Sequence, residues 1–306
     1  MAGNFPEIWL KRVKTNMEQA DKAPWLDGIT EIDGDVMELG AGTETKKNVI
    51  HVPLNTFEPG VLINNSTYPI DAVAYTDDNA TITLDKLQTE VTTLSDDQVM
   101  GASYNKIDAA TSSHVRAITK KKIAKALHAL APSANATNKA VIETTGTSAS
   151  GVRKPMVYAD LVAMKARFDA MGADVEGRRA VLSSDHWNDL LLDRANFGNQ
   201  LVDYNEGKAA PMIAGFKIFQ YVNNPLYTTA GAKKAFGATA STGEYQASVF
   251  FHEGNVAKKT GNTKQYFLPA SQNPRNQSNE LNYRHYYIVM PFQDKYIGAI
   301  MSKNTA

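Results

Sequence analysis

The chain has 306 residues, 32 Lys+Arg against 32 Asp+Glu for a formal net charge of zero, 43% hydrophobic and 21% charged side chains, and no cysteine. This balance excludes a chain disordered throughout and a DNA binder dominated by electrostatics. It also excludes disulfide, thiolate-zinc and cysteine-nucleophile chemistry. The length suits two domains better than one, and no apolar run reaches the ~18 residues that a membrane span needs.

Residues 1–45 read as an arm. Pro6 can open a short helix through Ile8, Leu10 and Val13, and no apolar signal core follows Met1. An acidic, Gly-punctuated stretch runs from Asp27 to Gly42. Residues 1–50 hold six basic and nine acidic side chains, and residues 251–306 hold seven and three. Such opposite ends suit contacts between neighbouring copies, or equally two solvated faces.

Residues 46–94 read as β-rich. Asn48-Val49-Ile50-His51-Val52 alternates with period two, Glu58-Pro59-Gly60 is a turn signal, and Asp77-Asp78-Asn79 predicts a hairpin loop between Ala72–Tyr75 and Thr81–Leu84. Gln88 to Leu94 forms another run rich in β-branched residues. Between Asn48 and Asp85 there is no Lys or Arg, so this hairpin is expected to lie on something rather than in water. Ser95-Asp96-Asp97-Gln98 is a capping box, and the helix that it opens is expected to run to about Leu130, where Ala131-Pro132 stops it. Its predicted apolar face holds Met100, Tyr104, Ile107, Val115, Ile118, Ala126 and Leu130. Some 35 residues at ~1.5 Å each make a strut of about 50 Å. Lys120, Lys121, Lys122 and Lys125 near its end complement the helix dipole; Lys120-Lys121-Lys122 could touch phosphates, but reads rather as a dipole-favoured exposed face. Residues 133–151 read as a Ser/Thr/Ala-rich link. A helix from Tyr158, a buried strand Arg179–Leu182 and a helix capped by Ser183 or Ser184 follow. Strands are predicted at Gly215–Phe219, Ala247–Phe251, Tyr286–Met290 and Tyr296–Met301, with a small-residue loop over 228–244.

No catalytic constellation emerges. None of the six histidines has metal-ligand spacing with another, and His252-Glu253 fails the H-E-x-x-H pattern at Ala257. Gly146–Ser150 lacks the last glycine of a nucleophile elbow, and Gly40-Ala41-Gly42 and Gly207-Lys208 fall short of phosphate-loop motifs. Glu31, Asp33 and Asp35 alternate without the rest of a calcium loop and read as a solvated acidic turn. No cofactor and no metal are expected.

The order of these elements resembles the major capsid protein of tailed bacteriophages, with the HK-ninety-seven-type shell fold that encapsulins share. The resemblance is carried by Tyr68-Pro69-Ile70 and Tyr75-Thr76-Asp77, by Thr81-Ile82-Thr83-Leu84-Asp85 through Thr89, by Gly177-Arg178-Arg179-Ala180-Val181-Leu182-Ser183, and by Ile213-Ala214-Gly215-Phe216-Lys217-Ile218 before Asn223-Asn224-Pro225. It implies an α+β fold divided into an N-arm (1–45), an E-loop (46–86), a first part of a P domain with the spine helix (87–157), an A domain (158–244) and the second part of the P domain (245–306). It implies self-assembly into hexamers and pentamers of an icosahedral shell, with Phe57, Leu62, Ile63 and Tyr68 as candidate intersubunit contacts. Further implied partners are a scaffolding protein, a portal, decoration proteins, and packaged double-stranded DNA held without sequence reading. The implied location is the virion, assembled in the host bacterial cytoplasm, with no membrane contact and no enzymatic activity. Some members crosslink through an E-loop lysine, and residues 48–85 hold none, so a non-covalent shell is expected. The arm starts directly at Met1, so a separate scaffold is expected. The other readings are an encapsulin-like compartment and a soluble two-domain enzyme. A compact monomer of this mass would expose about 12,600 Å², and a shell subunit would exceed that.

Overall fold

The computed structural model describes residues 23–32, 49–54, 57, 59–75, 78–100, 106–193, 202–203, 208–209 and 212–305. Its helices are α1 (Asp96–Met100), α2 (Lys106–Leu130), α3 (Tyr158–Ala170) and α4 (Ser184–Leu192). Its strands are β1 (Val49–Leu54), β2 (Asp78–Thr83), β3 (Asp85–Gln88), β4 (Thr92–Ser95), β5 (Lys139–Glu143), β6 (Arg178–Leu182) and β7 (Val202–Asp203). They continue with β8 (Lys208–Ala209), β9 (Met212–Ile213), β10 (Phe216–Gln220), β11 (Ser248–His252), β12 (Val256–Leu268), β13 (Ser278–Pro291) and β14 (Ile297–Met301).

Two sheets carry the body. The first has six strands in the order β5-β14-β11-β6-β10-β9, with parallel pairs at β5/β14 and β6/β10 and antiparallel pairs elsewhere. Every residue of β6 and β14 is buried; an all-apolar run such as Ile297-Gly298-Ala299-Ile300-Met301 suits a central strand covered on both faces. α3 packs on this sheet through Leu161, Met164 and Phe168. Gly298 lets it come close, since a Cβ there would stand 2.7 Å from Met164 Sδ. The second sheet is built on the long β13, which pairs with β12 along one edge and with β3 and then β4 along the other. α2 lies across it, with Val115 and Ile118 against Leu281 and Tyr283. At the β12 register shift between Thr260 and Thr263, Gly261 admits the Tyr286 and Leu84 side chains, which would meet an added Cβ at 2.8 and 2.9 Å.

The helix–strand–helix reading of 158–192 holds in detail. Ser183 Oγ accepts the His186 amide at 3.4 Å as the α4 cap, and Asp160 Oδ2 accepts the Val157 amide at 2.9 Å at the head of α3. α2 ends at Leu130 as expected, and the described part of the strut is 25 residues, about 37 Å. Met100 is placed without a described side chain, and Tyr104 lies outside the described residues.

Several expectations change. Asp78 and Asn79 are not a hairpin loop: they belong to β2, opposite Leu54 and Pro53 of β1. The β1/β2 pair is the stem, and the described residues 59–75 connect it without regular strands, so Ala72–Tyr75 is not the partner strand. Backbone pairing across the stem outweighs the turn preference of Asp and Asn. Gln88–Leu94 is not one run. Thr89 stays on β13: its amide donates to Tyr283 O and its hydroxyl oxygen accepts from Tyr283 N, both at 3.0 Å, while β3 and β4 flank it. The link 133–151 contains β5, whose partner β14 is more than 150 residues away. Of the arm, residues 23–32 join the body. Trp25 and Leu26 are core residues, and Ile32 N donates to Lys258 O at 2.9 Å. Glu31 is no free acidic turn, because its carboxylate accepts from Thr260 Oγ1 at 2.8 Å. Asp33 and Asp35 lie outside the described residues, as does the Pro6 helix.

Candidate assembly surfaces

Among the described residues, seven exposed apolar side chains cluster in the connection between β1 and β2. Val61, Leu62, Ile63 and Tyr68 are 85%, 61%, 84% and 76% exposed, and Ile70, Val73 and Tyr75 are exposed beside them. At roughly 25 cal/mol per Å² of apolar surface, leaving such a run in water is unfavourable unless something covers it. Of the four contact candidates, Leu62, Ile63 and Tyr68 are therefore presented outward. Phe57 differs: it is half-buried, its ring 5.4 Å from Tyr75 in an edge-on contact. It props the loop more than it offers a surface. Val61, Ile70, Val73 and Tyr75 were missed, although the same cation-free run contains them.

The second surface is α2 itself. Its outward stripe is Ser113, Arg116, Ala117, Lys120 and Lys121, at the i, i+3, i+4, i+7, i+8 spacing of one helix face. The lysines expected to share one exposed face do not all do so. Lys122 is buried with its ammonium 4.4 Å from the Tyr287 ring centroid, and Lys125 pairs with Asp85 at 2.8 Å. All four stand more than a turn from Leu130, beyond the reach of the helix terminus field. What holds that terminus is Lys233, whose ammonium donates to His128 O at 2.9 Å and Ala131 O at 2.6 Å. His128 Nε2 lies 2.8 Å from Lys234 O, so the 228–244 loop, read as a mobile connection, is fastened to the end of α2. A groove of 630 Å³ runs along α2, walled by Leu87, Thr89, Thr92, Ala110, His114 and Ile118.

A family model for phage capsid proteins matches residues 78–301, from the first residue of β2 to the last of β14. The chain belongs to the phage capsid protein family. No curated protein sequence matches it. The capsid protein of cyanophage P-SCSP1u aligns at TM-score 0.58 with 14% identity, over 86% of this chain and 85% of that one. The mature capsid of bacteriophage PhiM1 aligns at 0.54 with 15% identity, over 89% and 91%. An encapsulin complex from Synechococcus elongatus aligns at 0.50 with 10% identity, over 74% and 77%. At such identities these structures establish the HK-ninety-seven-type fold; the family match is what separates phage capsid from encapsulin. The protein is thus a capsid protein, a subunit of a phage shell.

The chemical candidates in this capsid protein are occupied by structural roles. His252 Nε2 lies 2.7 Å from Glu176 O, and its Nδ1 accepts the Gly254 amide at 3.1 Å. Glu253 pairs with Arg179. Ser148 Oγ donates to Val152 O at 3.1 Å. Among the described residues, no group of three or more His, Asp or Glu side chains is placed to hold a metal ion, and no helix is long and apolar enough to cross a membrane.

The most perturbed group is His186. It is fully buried between Ser248 Oγ, 2.7 Å from Nδ1, and Ser302 Oγ, 2.9 Å from Nε2. Burial first, and then the nearby Arg153 cation, lower its pKa from 6.5 to about 3, with Asp189 opposing. Arg153 and Asp189 form a two-bond pair at 2.7 Å each beside it. The unfolded chain therefore binds a proton below pH 6.5 that the folded chain refuses down to about pH 3. This contribution to stability is complete above pH 6.5 and is lost as pH falls, by up to about 1.4 kcal/mol per pH unit. Burial lowers His114 and His128 as well, so they act in the same direction. Denaturant titrations of the subunit from pH 7 to pH 4 are expected to show this slope, reduced by close to one proton in His186→Gln. An unchanged slope in that variant would assign the acid sensitivity elsewhere.

Proposed function

We propose that the subunit assembles without covalent crosslinks into hexamers and pentamers, through an E-loop (46–86) that covers the P domain of a neighbouring copy. The observation that carries this reading is the exposed apolar run of residues 59–75, a surface with no stable place in water. Leu62, Ile63 and Tyr68 are the intersubunit contacts, with Phe57 supporting them from behind. The proposed division is an N-arm (1–45), the E-loop, a P domain (87–157 with 245–306) and an A domain (158–244). The six-stranded sheet takes β5, β11 and β14 from outside 158–244, so on this division the two domains share hydrogen-bonded strands and move as coupled bodies. A scaffolding protein, a portal and decoration proteins complete the particle in the host bacterial cytoplasm. Packaged double-stranded DNA is touched without sequence reading, and the subunit performs no catalysis.

Covalent and non-covalent shells separate cleanly in denaturing electrophoresis. Particles boiled in detergent are expected to release monomers of 33.4 kDa, because residues 48–85 offer no lysine. A ladder of crosslinked oligomers would overturn the non-covalent reading.

A further inference from the structure

The groove of 630 Å³ between α2 and the β3–β4 edge has an apolar floor. Leu87, Ala110 and Ile118 line it and pack in one cluster with Leu281 and Tyr283. Ser113 and Ala117 are small lining residues, so a second helix can come close to α2 there. One buried polar ring interrupts this lining. His114 is only 8% exposed and stands 5.3 Å from the Tyr283 ring. Neither of its ring nitrogens hydrogen-bonds another described residue. Burial lowers its pKa, so the ring is neutral and offers one nitrogen as an acceptor. A buried acceptor left unpaired is unfavourable. The groove therefore suits an occupant with an apolar face and one hydrogen-bond donor.

The chain itself contains such a segment. Residues 1–22 lie outside the described residues, and they lead into Ala23, which shares an apolar cluster with Leu127 and Leu130 of α2. In the sequence, Phe5, Trp9, Val13 and Met17 recur every fourth residue, while Glu7, Lys11, Lys14 and Glu18 fall on the opposite side of a helical projection. A helix from Pro6 to Met17 is about 18 Å long, and the α2 wall of the groove, from Ala110 to Lys121, is about 17 Å. Residues 18–22 reach about 16 Å when extended, and Ile118 stands about 14 Å along α2 from Leu127. These lengths set a register, with Met17 near Lys121, Val13 beside Ala117, and Trp9 beside Ser113 and His114. The indole N–H of Trp9 is then the donor that His114 lacks.

We infer that residues 5–17 form an amphipathic helix seated in the α2 groove of their own chain, parallel to α2, in the helix-in-groove mode. The strap anchored by Trp25 delivers this helix to its seat. The contact is made within one subunit, so it does not depend on the shell reading above. It covers the apolar edge that α2 and β3 leave open, and it makes the first residues of the chain part of the folded body.

The chain has no cysteine, so an introduced pair reports proximity without background. In the full chain, Val13→Cys/Ala117→Cys is expected to close an intrachain disulfide under mild oxidation, read by alkylation and mass spectrometry as the loss of both free thiols. Val13→Cys/Val175→Cys, whose second position is exposed after α3, is expected to keep its thiols. No disulfide in the first pair, or equal oxidation of both pairs, would overturn the inference. A disulfide between two chains would place the segment in the groove of another copy and overturn the assignment to its own. Trypsin supplies a second readout, because Lys11, Arg12 and Lys14 are cleavage sites within the segment. Cleavage there is expected to run about tenfold faster or more in Trp9→Ala, which removes the largest apolar anchor, and at the wild-type rate in Glu7→Gln on the opposite face. Equal rates in the two variants would contradict a seated apolar face.

Discussion

Val61→Ser/Leu62→Ser/Ile63→Ser is expected to abolish shell formation and leave the subunit folded. The three side chains are among the most exposed in the molecule, so their loss removes nothing from either core sheet. Burying an apolar side chain of this size is worth about 1.5–3 kcal/mol. Removing three at one contact therefore costs roughly 4 kcal/mol or more, about a thousandfold in the affinity of a single interface. A shell multiplies that loss over every copy. Light scattering reports the assembly, and circular dichroism with a thermal melt reports the fold. Shells at wild-type yield would show that this run is not an interface. A subunit that unfolds would show that the run is covered within its own chain.

Trp25→Ala is expected to act in the opposite way, on the fold itself. Trp25 is nearly fully buried, with ring centroids 6.4 Å from Tyr221 and 6.3 Å from Phe251. Its own carbonyl and that of Asp27 accept from Arg179 Nη1 at 2.9 and 2.7 Å, and the same guanidinium holds Glu253 through Nε at 2.9 Å. The segment 23–32 is thus a strap across the six-stranded sheet and the head of β12, and Trp25 is its anchor. Truncating a buried tryptophan costs about 3–5 kcal/mol, a large part of the stability of a typical domain. Urea unfolding followed by circular dichroism measures it. A change below about 1 kcal/mol would mean that the strap folds separately from the body.

These two results bear on how the sequence encodes the fold. The strut was legible because its signals are local: paired aspartates at the head of α1, an apolar stripe at helical spacing, and Ala131-Pro132 behind Leu130. β6 and α4 were legible for the same reason, as a short run ending in Ala180-Val181-Leu182 and a serine cap. β12 gave no such signal. Lys258-Lys259-Thr260-Gly261-Asn262-Thr263-Lys264 is polar and has no apolar alternation, yet it is a strand, because β13 pairs with it on one side. β5 lies in a Ser/Thr/Ala-rich stretch and gains its identity from β14, its partner at the far end of the chain. The acidic N-terminal and basic C-terminal segments suit contacts between neighbouring copies or, equally, two solvated faces; within the chain they also touch each other. Glu31 and Ile32 meet Lys258, Lys259 and Thr260 of the same chain.

The assembly surface was half legible for a related reason. A stretch without cations can be seen in a sequence, and the β1/β2 stem and the exposed side chains of Leu62, Ile63 and Tyr68 lie in it. That Phe57 turns back on Tyr75 depends on the path of the loop. That Lys122 leaves the basic face depends on the position of Tyr287, which only the β13 register fixes. The placement of a side chain on or off a surface is a tertiary fact, even where the helix that carries it is plain.

The most direct measurement is negative-stain electron microscopy with light scattering on the purified full chain, alone and co-expressed with a candidate scaffolding protein. Closed shells tens of nanometres across, built from this subunit, are the expected result. A protein that stays a 33.4 kDa monomer under both conditions would contradict its role as the shell-forming subunit.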